Sequence, residues 1–68
     1  MVAKFLDNNN QECMVIIGTI TENSKWYNKV AVRTWDGVKT VDIQVPMNGT
    51  KNILDLAIRI HNEILEMG

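Results

Sequence analysis

Lys29, Arg33 and Trp35 lie at even spacings within one stretch, Lys29 to Val45. Side chains alternate faces along a strand, so even spacings put all three on one side. Lys25 and Trp26 arrive just before them. A sheet face that combines exposed aromatics with cations suits sequence-tolerant binding of a single nucleic-acid strand. Bases stack on the rings at ~1–3 kcal/mol each, while Lys and Arg follow the phosphates. Two simpler roles compete: Trp35 folding over Ala31 and the turn, and Arg33 pairing diagonally with Asp42.

Other chemistry is sparse. His61, the only histidine, sits on an apolar helical stripe and reads as a packed or interface residue rather than a general base. One cysteine and one histidine do not make a zinc-ligand set, so no metal is expected. The four glycines are isolated, which excludes a glycine-rich phosphate loop. Ser24 is the only serine and has no partner at a useful spacing. Asp36 and Asp42 are accounted for as a turn and a strand residue. The chain therefore reads as a non-enzymatic protein without a cofactor.

The 68 residues allow one domain, residues 1–68. A chain this short buries only ~60% of its unfolded surface and is marginal alone. With 46% apolar and 22% charged residues it has a globular composition. The lone Cys13 permits no internal disulfide and fits a reducing cytoplasm. The start MVAKFLDNNN lacks the apolar core of a secretion signal. The longest apolar run, Cys13 to Ile17, is too short to cross a bilayer, so no membrane partner is expected. Net charge is −1, but it is unevenly spread. Lys25 to Lys51 holds five cations against two acids, while the flanks hold Lys4 and Arg59 against six acids. This is a modest basic patch or a balanced solvated surface.

The elements that must position these residues can be read in order. Val2 to Leu6 is a short strand and Asp7-Asn8-Asn9-Asn10 its loop. Glu12 to Thr21 reads as a central strand, apolar on both faces and covered on both sides, with Gly18 marking a bulge or a close backbone approach. Glu22-Asn23-Ser24-Lys25 is a turn. Asp36-Gly37, between two β-branched runs, predicts a two-residue type I′ hairpin. That register opposes Trp35 to Val38, Arg33 to Thr40 and Ala31 to Asp42. It gives a core face of Val30, Val32, Val41, Ile43 and Val45. The outer face then carries Lys29, Ala31, Arg33, Trp35, Thr40, Asp42 and Gln44. Pro46 ends the sheet, since proline cannot donate to the ladder.

Asn52 to Met67 is the one convincing helix. Thr50 or Asn52 can cap it, and Asp55 suits its first turn. Two apolar stripes lie side by side: Ile53, Ala57, Ile60, Ile64 and Met67, and Leu54, Ile58, His61 and Leu65. Their combined width exceeds the ~100° that one packed face requires. The first is assigned to the sheet. The second, Leu54, Ile58, His61 and Leu65, is assigned to a homodimer interface.

The stretch from Thr21 to Lys29 (TENSKWYNK), Trp35-Asp36-Gly37, Lys39 and Asp42-Ile43 resemble the bacterial branch of the Positive Cofactor Four-like family, coactivator-like proteins that bind single-stranded DNA. The resemblance covers roughly Ile17 to Ile43. It implies a curved four-stranded antiparallel sheet, a C-terminal helix and a dimer through that helix. It also implies that Lys25, Trp26, Lys29, Arg33, Trp35 and Lys39 contact DNA. Gln44 stands where the family carries an arginine, and the segment before the helix is shorter here.

The expected fold is α+β: a three- to four-stranded antiparallel sheet followed by one helix, β-β-β-β-α. The expected function is binding of single-stranded DNA or RNA, as a transcription or replication accessory. The alternative is a phage or mobile-element module that binds and inhibits a host enzyme. Trp26, Tyr27, Arg33 and Trp35 are residue types enriched at interface hot spots.

Overall fold

The chain runs β1 (Val2–Leu6), β2 (Glu12–Glu22), β3 (Lys25–Thr34), β4 (Lys39–Pro46) and α1 (Ile53–Met67) in a computed structural model. The structure describes residues 1–48 and 52–68. Neighbouring strands are antiparallel and pair in chain order, β1-β2-β3-β4. The expected β-β-β-β-α architecture is thus observed. No described helix is long and apolar enough to cross a membrane.

The core follows from strand alternation. Val15 pairs with Val32, which pairs with Val41; Ile17 pairs with Val30, which pairs with Ile43. These rows face α1. Val15, Val30 and Val32 are fully buried, with Cys13 and Val41 nearly so. Burying each valine stabilises the fold by about 1.5–3 kcal/mol relative to exposure. Ala57 is fully buried where α1 crosses the sheet.

The expected turn at Glu22 to Lys25 is observed, but the type I′ geometry expected at Asp36-Gly37 is found there instead. Positive φ at two consecutive non-glycine residues, the type I′ signature, occurs at Asn23 (52°) and Ser24 (64°), between the paired Glu22 and Lys25. At the β3–β4 turn only Gly37 has positive φ, 86°. There the Gly37 N–H donates to the Thr34 carbonyl at 2.9 Å and the Thr34 N–H to the Val38 carbonyl at 3.0 Å. This is a three-residue loop, Trp35-Asp36-Gly37, with glycine at the left-handed position. Asp36 accounts for the choice: its carboxylate accepts from the Thr34 hydroxyl and from the Val38 N–H, which holds the longer turn.

The longer loop opposes Arg33 to Lys39 rather than to Thr40. A bulge at Val32/Arg33 then absorbs Thr40, and Val32–Val41, Ala31–Asp42 and Lys29–Gln44 pair as predicted. Thr40 is consequently turned toward the helix rather than onto the outer face. Its hydroxyl lies 3.2 Å from the Val32 carbonyl oxygen and 2.8 Å from His61 Nδ1.

Gly18 marks no bulge. The β2–β3 ladder is continuous through it, and a Cβ there would meet nothing within 4 Å. Nor is β2 covered on both sides: Met14, on the face away from α1, is exposed and Ile16 half-buried.

Asn52 caps α1, its side chain accepting from the Asp55 N–H at 3.2 Å. Thr50, the other candidate cap, and the cation Lys51 lie outside the described residues. The inward line of α1 also differs from the assignment. Ala57 and His61 are fully buried, and Ile53, Leu54, Ile58 and Ile60 pack partly buried against the core. Leu54, Ile58 and His61, assigned outward, therefore serve the protomer's own core, and Leu65 is half-buried. Ile64 and Met67, assigned to the sheet, are the exposed apolar residues. Both stripes thus contribute to the inward face, where His61 meets Asp7, Cys13 and Thr40.

Candidate functional site

The sheet face opposite α1 is open. On β3, alternation directs Lys25, Tyr27, Lys29, Ala31 and Arg33 to it. The register sets Met14 beside Arg33 and Ile16 beside Ala31. Trp35, in the turn at the end of this row, is 80% exposed. It does not fold over Ala31. A cleft of about 300 Å³ is lined by Lys4, Met14, Ile16, Arg33 and Trp35, among others.

Charge on this face is only partly compensated. Lys39 pairs with Asp42 at 3.3 Å, and Lys4 with Glu12 at 3.4 Å. Among the described residues, Lys25, Lys29 and Arg33 have no carboxylate within ion-pair distance. Arg33 thus does not make the expected diagonal pair with Asp42. The Thr40 bulge places Lys39 on the same side as Asp42 and within its reach.

Five of the six candidate binding residues accordingly share one side or its rim: Lys25, Lys29, Arg33, Lys39 and Trp35. Trp26 does not. It pairs with Thr21 and alternates onto the helix side, at the end of the sheet beyond α1, where it is 60% exposed. With Lys25, Tyr27, Pro46 and Asn48 it lines a second open cleft. Tyr27, by contrast, is a half-buried ring on the cationic side; the sequence reading named it only for the protein-binding alternative and not among the nucleic-acid contacts. Strand parity alone would have found it.

A second cluster is buried on the other side of the sheet. His61 Nε2 lies 2.9 Å from Asp7 Oδ2, and Cys13 Sγ lies 3.4 Å from that oxygen and 3.5 Å from Nε2. The other carboxylate oxygen, Oδ1, accepts from the N–H groups of Asn9 and Gln11, both at 2.9 Å. The ring of Phe5 stands edge-on to the imidazole, with centroids 5.6 Å apart. No buried side-chain nitrogen or oxygen among the described residues lacks a partner.

Electrostatics set the states of this cluster. The hydrogen bond from His61 holds the Asp7 carboxyl down at about 2, against the opposing effect of burial, with help from the Gln11 N–H, Cys13 and the Asn9 N–H. Burial pushes the Cys13 thiol up to about 11, and the hydrogen bond to Asp7 and the carboxylate's charge push the same way. Cys13, His61 and Asp7 thus have the residue types of an activated nucleophile set, but the thiol is held protonated and out of reach. The expectation of no ligand set counted Cys13 and His61 and passed over Asp7, which was read as a loop residue.

Comparisons of the chain with protein-family models, with curated proteins and with solved structures returned no match.

Proposed function

We propose that the sheet face opposite α1 binds single-stranded nucleic acid without strong sequence preference. One observation carries the reading: Lys25, Lys29 and Arg33 form a row along β3 with no carboxylate partner among the described residues, and the row ends at the exposed Trp35. The cations suit a phosphate backbone; Trp35 and Tyr27 offer rings on which bases stack. The element order shared with the Positive Cofactor Four-like family supports the same reading. The protein then works in the cytoplasm, as a transcription or replication accessory. Fluorescence titration with an oligonucleotide at two salt concentrations tests it, because binding through phosphates weakens steeply with salt.

A second reading is a module that binds a host protein, of the kind a phage encodes. The aliphatic residues of the same face favour it: Val2, Leu6 and Met14 are exposed on it, Met14 paired with Arg33. Capture from nuclease-treated lysate separates the two. A stoichiometric protein partner that survives nuclease supports the second reading, and recovered nucleic acid the first. A homodimer through α1 remains part of the proposal, with Leu65, Ile64 and Met67 as the apolar residues that the protomer leaves for it. Sedimentation equilibrium tests that separately.

A further inference from the structure

We propose that Asp7, Cys13 and His61 form a site for a divalent transition metal, zinc by the chemistry of the donors, bound through Oδ2, Sγ and Nε2. A carboxylate, a thiolate and an imidazole are the three kinds of side chain that bind zinc.

The geometry is close to what the metal requires. Sγ–Nε2, Sγ–Oδ2 and Nε2–Oδ2 measure 3.5, 3.4 and 2.9 Å. Around a tetrahedral zinc, with Zn–S about 2.3 Å and Zn–N and Zn–O about 2.0–2.1 Å, the sulfur edges are about 3.5–3.6 Å and the nitrogen–oxygen edge about 3.3–3.4 Å. Two edges already agree; the third opens by about 0.4 Å to admit the ion. An Asp–His ion pair by itself has no need of a thiol placed equally near both partners.

The surrounding hydrogen bonds point the same way. The Thr40 hydroxyl lies 3.2 Å from the Val32 carbonyl oxygen and 2.8 Å from His61 Nδ1; donating to the carbonyl, it can accept a proton carried on Nδ1. With the ring proton on Nδ1, loss of the Nε2 hydrogen that bonds Asp7 leaves an Nε2 lone pair for a metal. Asp7 Oδ1 is held by two backbone N–H groups, which aims Oδ2 at the same point. Ligands of a metal are commonly oriented by outer contacts of this kind. On binding, the Sγ–H and Nε2–H bonds are replaced by bonds to the metal; the thiol proton leaves to solvent, and the ring keeps one proton, on Nδ1. The Gln11 carbonyl oxygen, 3.6 Å from Sγ, accepts the Asp7 N–H at 3.0 Å and keeps a second lone pair, which makes it the nearest further donor for the fourth corner.

There is a physical reason for such a site in this chain. Among the described residues the buried hydrophobic ones are four valines, one alanine and Cys13 itself, a small core for a chain of 68 residues. Domains of this size are often completed by a structural metal, whose binding energy adds to the folding energy. The ion would tie the loop after β1 to β2 and to the middle of α1.

Chelator-treated full-length protein titrated with Co²⁺ and with Zn²⁺ tests the proposal. One equivalent of Co²⁺ is expected to give thiolate-to-cobalt charge transfer in the near ultraviolet and intense visible bands of tetrahedral Co²⁺, both abolished by Zn²⁺. Zn²⁺ is expected to raise the melting temperature, and Thr40→Val to weaken its binding about 10–100-fold. Equal Zn²⁺ affinity in folded Cys13→Ser would place the metal elsewhere and overturn the assignment. Should the variants fail to fold, the wild-type titration decides alone: folded chain in excess Co²⁺ without a charge-transfer band contradicts the site.

Discussion

His61 Nε2 and Asp7 Oδ2 are 2.9 Å apart, and the contact joins the loop after β1 to the middle of α1 across 54 residues of chain. Neither side chain has meaningful access to water. Removing one partner of a buried pair leaves the other uncompensated, at a cost of about 3–5 kcal/mol. Asp7→Ala is therefore expected to unfold most of this small domain, with Asp7→Asn less severe because it keeps the shape and an acceptor for the loop N–H groups. Urea denaturation followed by circular dichroism measures both.

The same contact makes stability depend on acidity. The folded Asp7 carboxyl titrates at about 2, below its ordinary value of 3.8. The unfolded chain thus binds the proton more readily than the folded one. The stabilisation is complete above about pH 4–5 and is lost as pH falls through 4 toward 2. Thermal melts of metal-free protein across that range should show the loss, and folded Asp7→Asn should lack this part of it. A wild-type melting temperature as high at pH 2.5 as at pH 5 would contradict the assignment.

The turn chemistry gives a prediction of opposite sign. Ser24 holds φ of 64°, a region that costs an L-residue roughly 1–2 kcal/mol and glycine little. Ser24→Gly is expected to raise stability by about 0.5–1 kcal/mol. Gly37→Ala, at φ of 86°, should lower it by about 1 kcal/mol. The midpoints of urea unfolding report both changes.

Much of the fold was legible because it is local. The span Val2–Leu6 is bounded by its own alternation and the asparagine-rich loop, and Asn52 announces the helix it caps. The inner register, from Val32–Val41 onward, follows from the β-branched faces. The turn type was not legible, because the Asp36 side chain decided between two loops that Asp-Gly permits equally. A one-residue change there was absorbed by Thr40, which moved a hydroxyl from the outer face to His61. Helical spacing could not rank two adjacent apolar stripes, and the partners of His61 come from positions 7, 13 and 40. Of the candidate site, the Lys29-Arg33-Trp35 side was legible from parity, and parity should also have separated Trp26 from it.

Binding should resolve into separable contributions. Lys29→Ala, at an exposed position, is expected to leave stability nearly unchanged and to flatten the salt dependence of oligonucleotide affinity by about 0.7 in log–log slope. Isothermal titrations at several salt concentrations give that slope.

The central claim concerns Trp35, which is 80% exposed at the end of the cationic row. Trp26→Phe leaves Trp35 as the sole tryptophan and therefore as a specific reporter. Titrating that variant with a single-stranded oligonucleotide at low and at physiological salt should quench Trp35 at micromolar protein, with affinity falling steeply as salt rises. Unchanged Trp35 emission at both salt concentrations would contradict the claim.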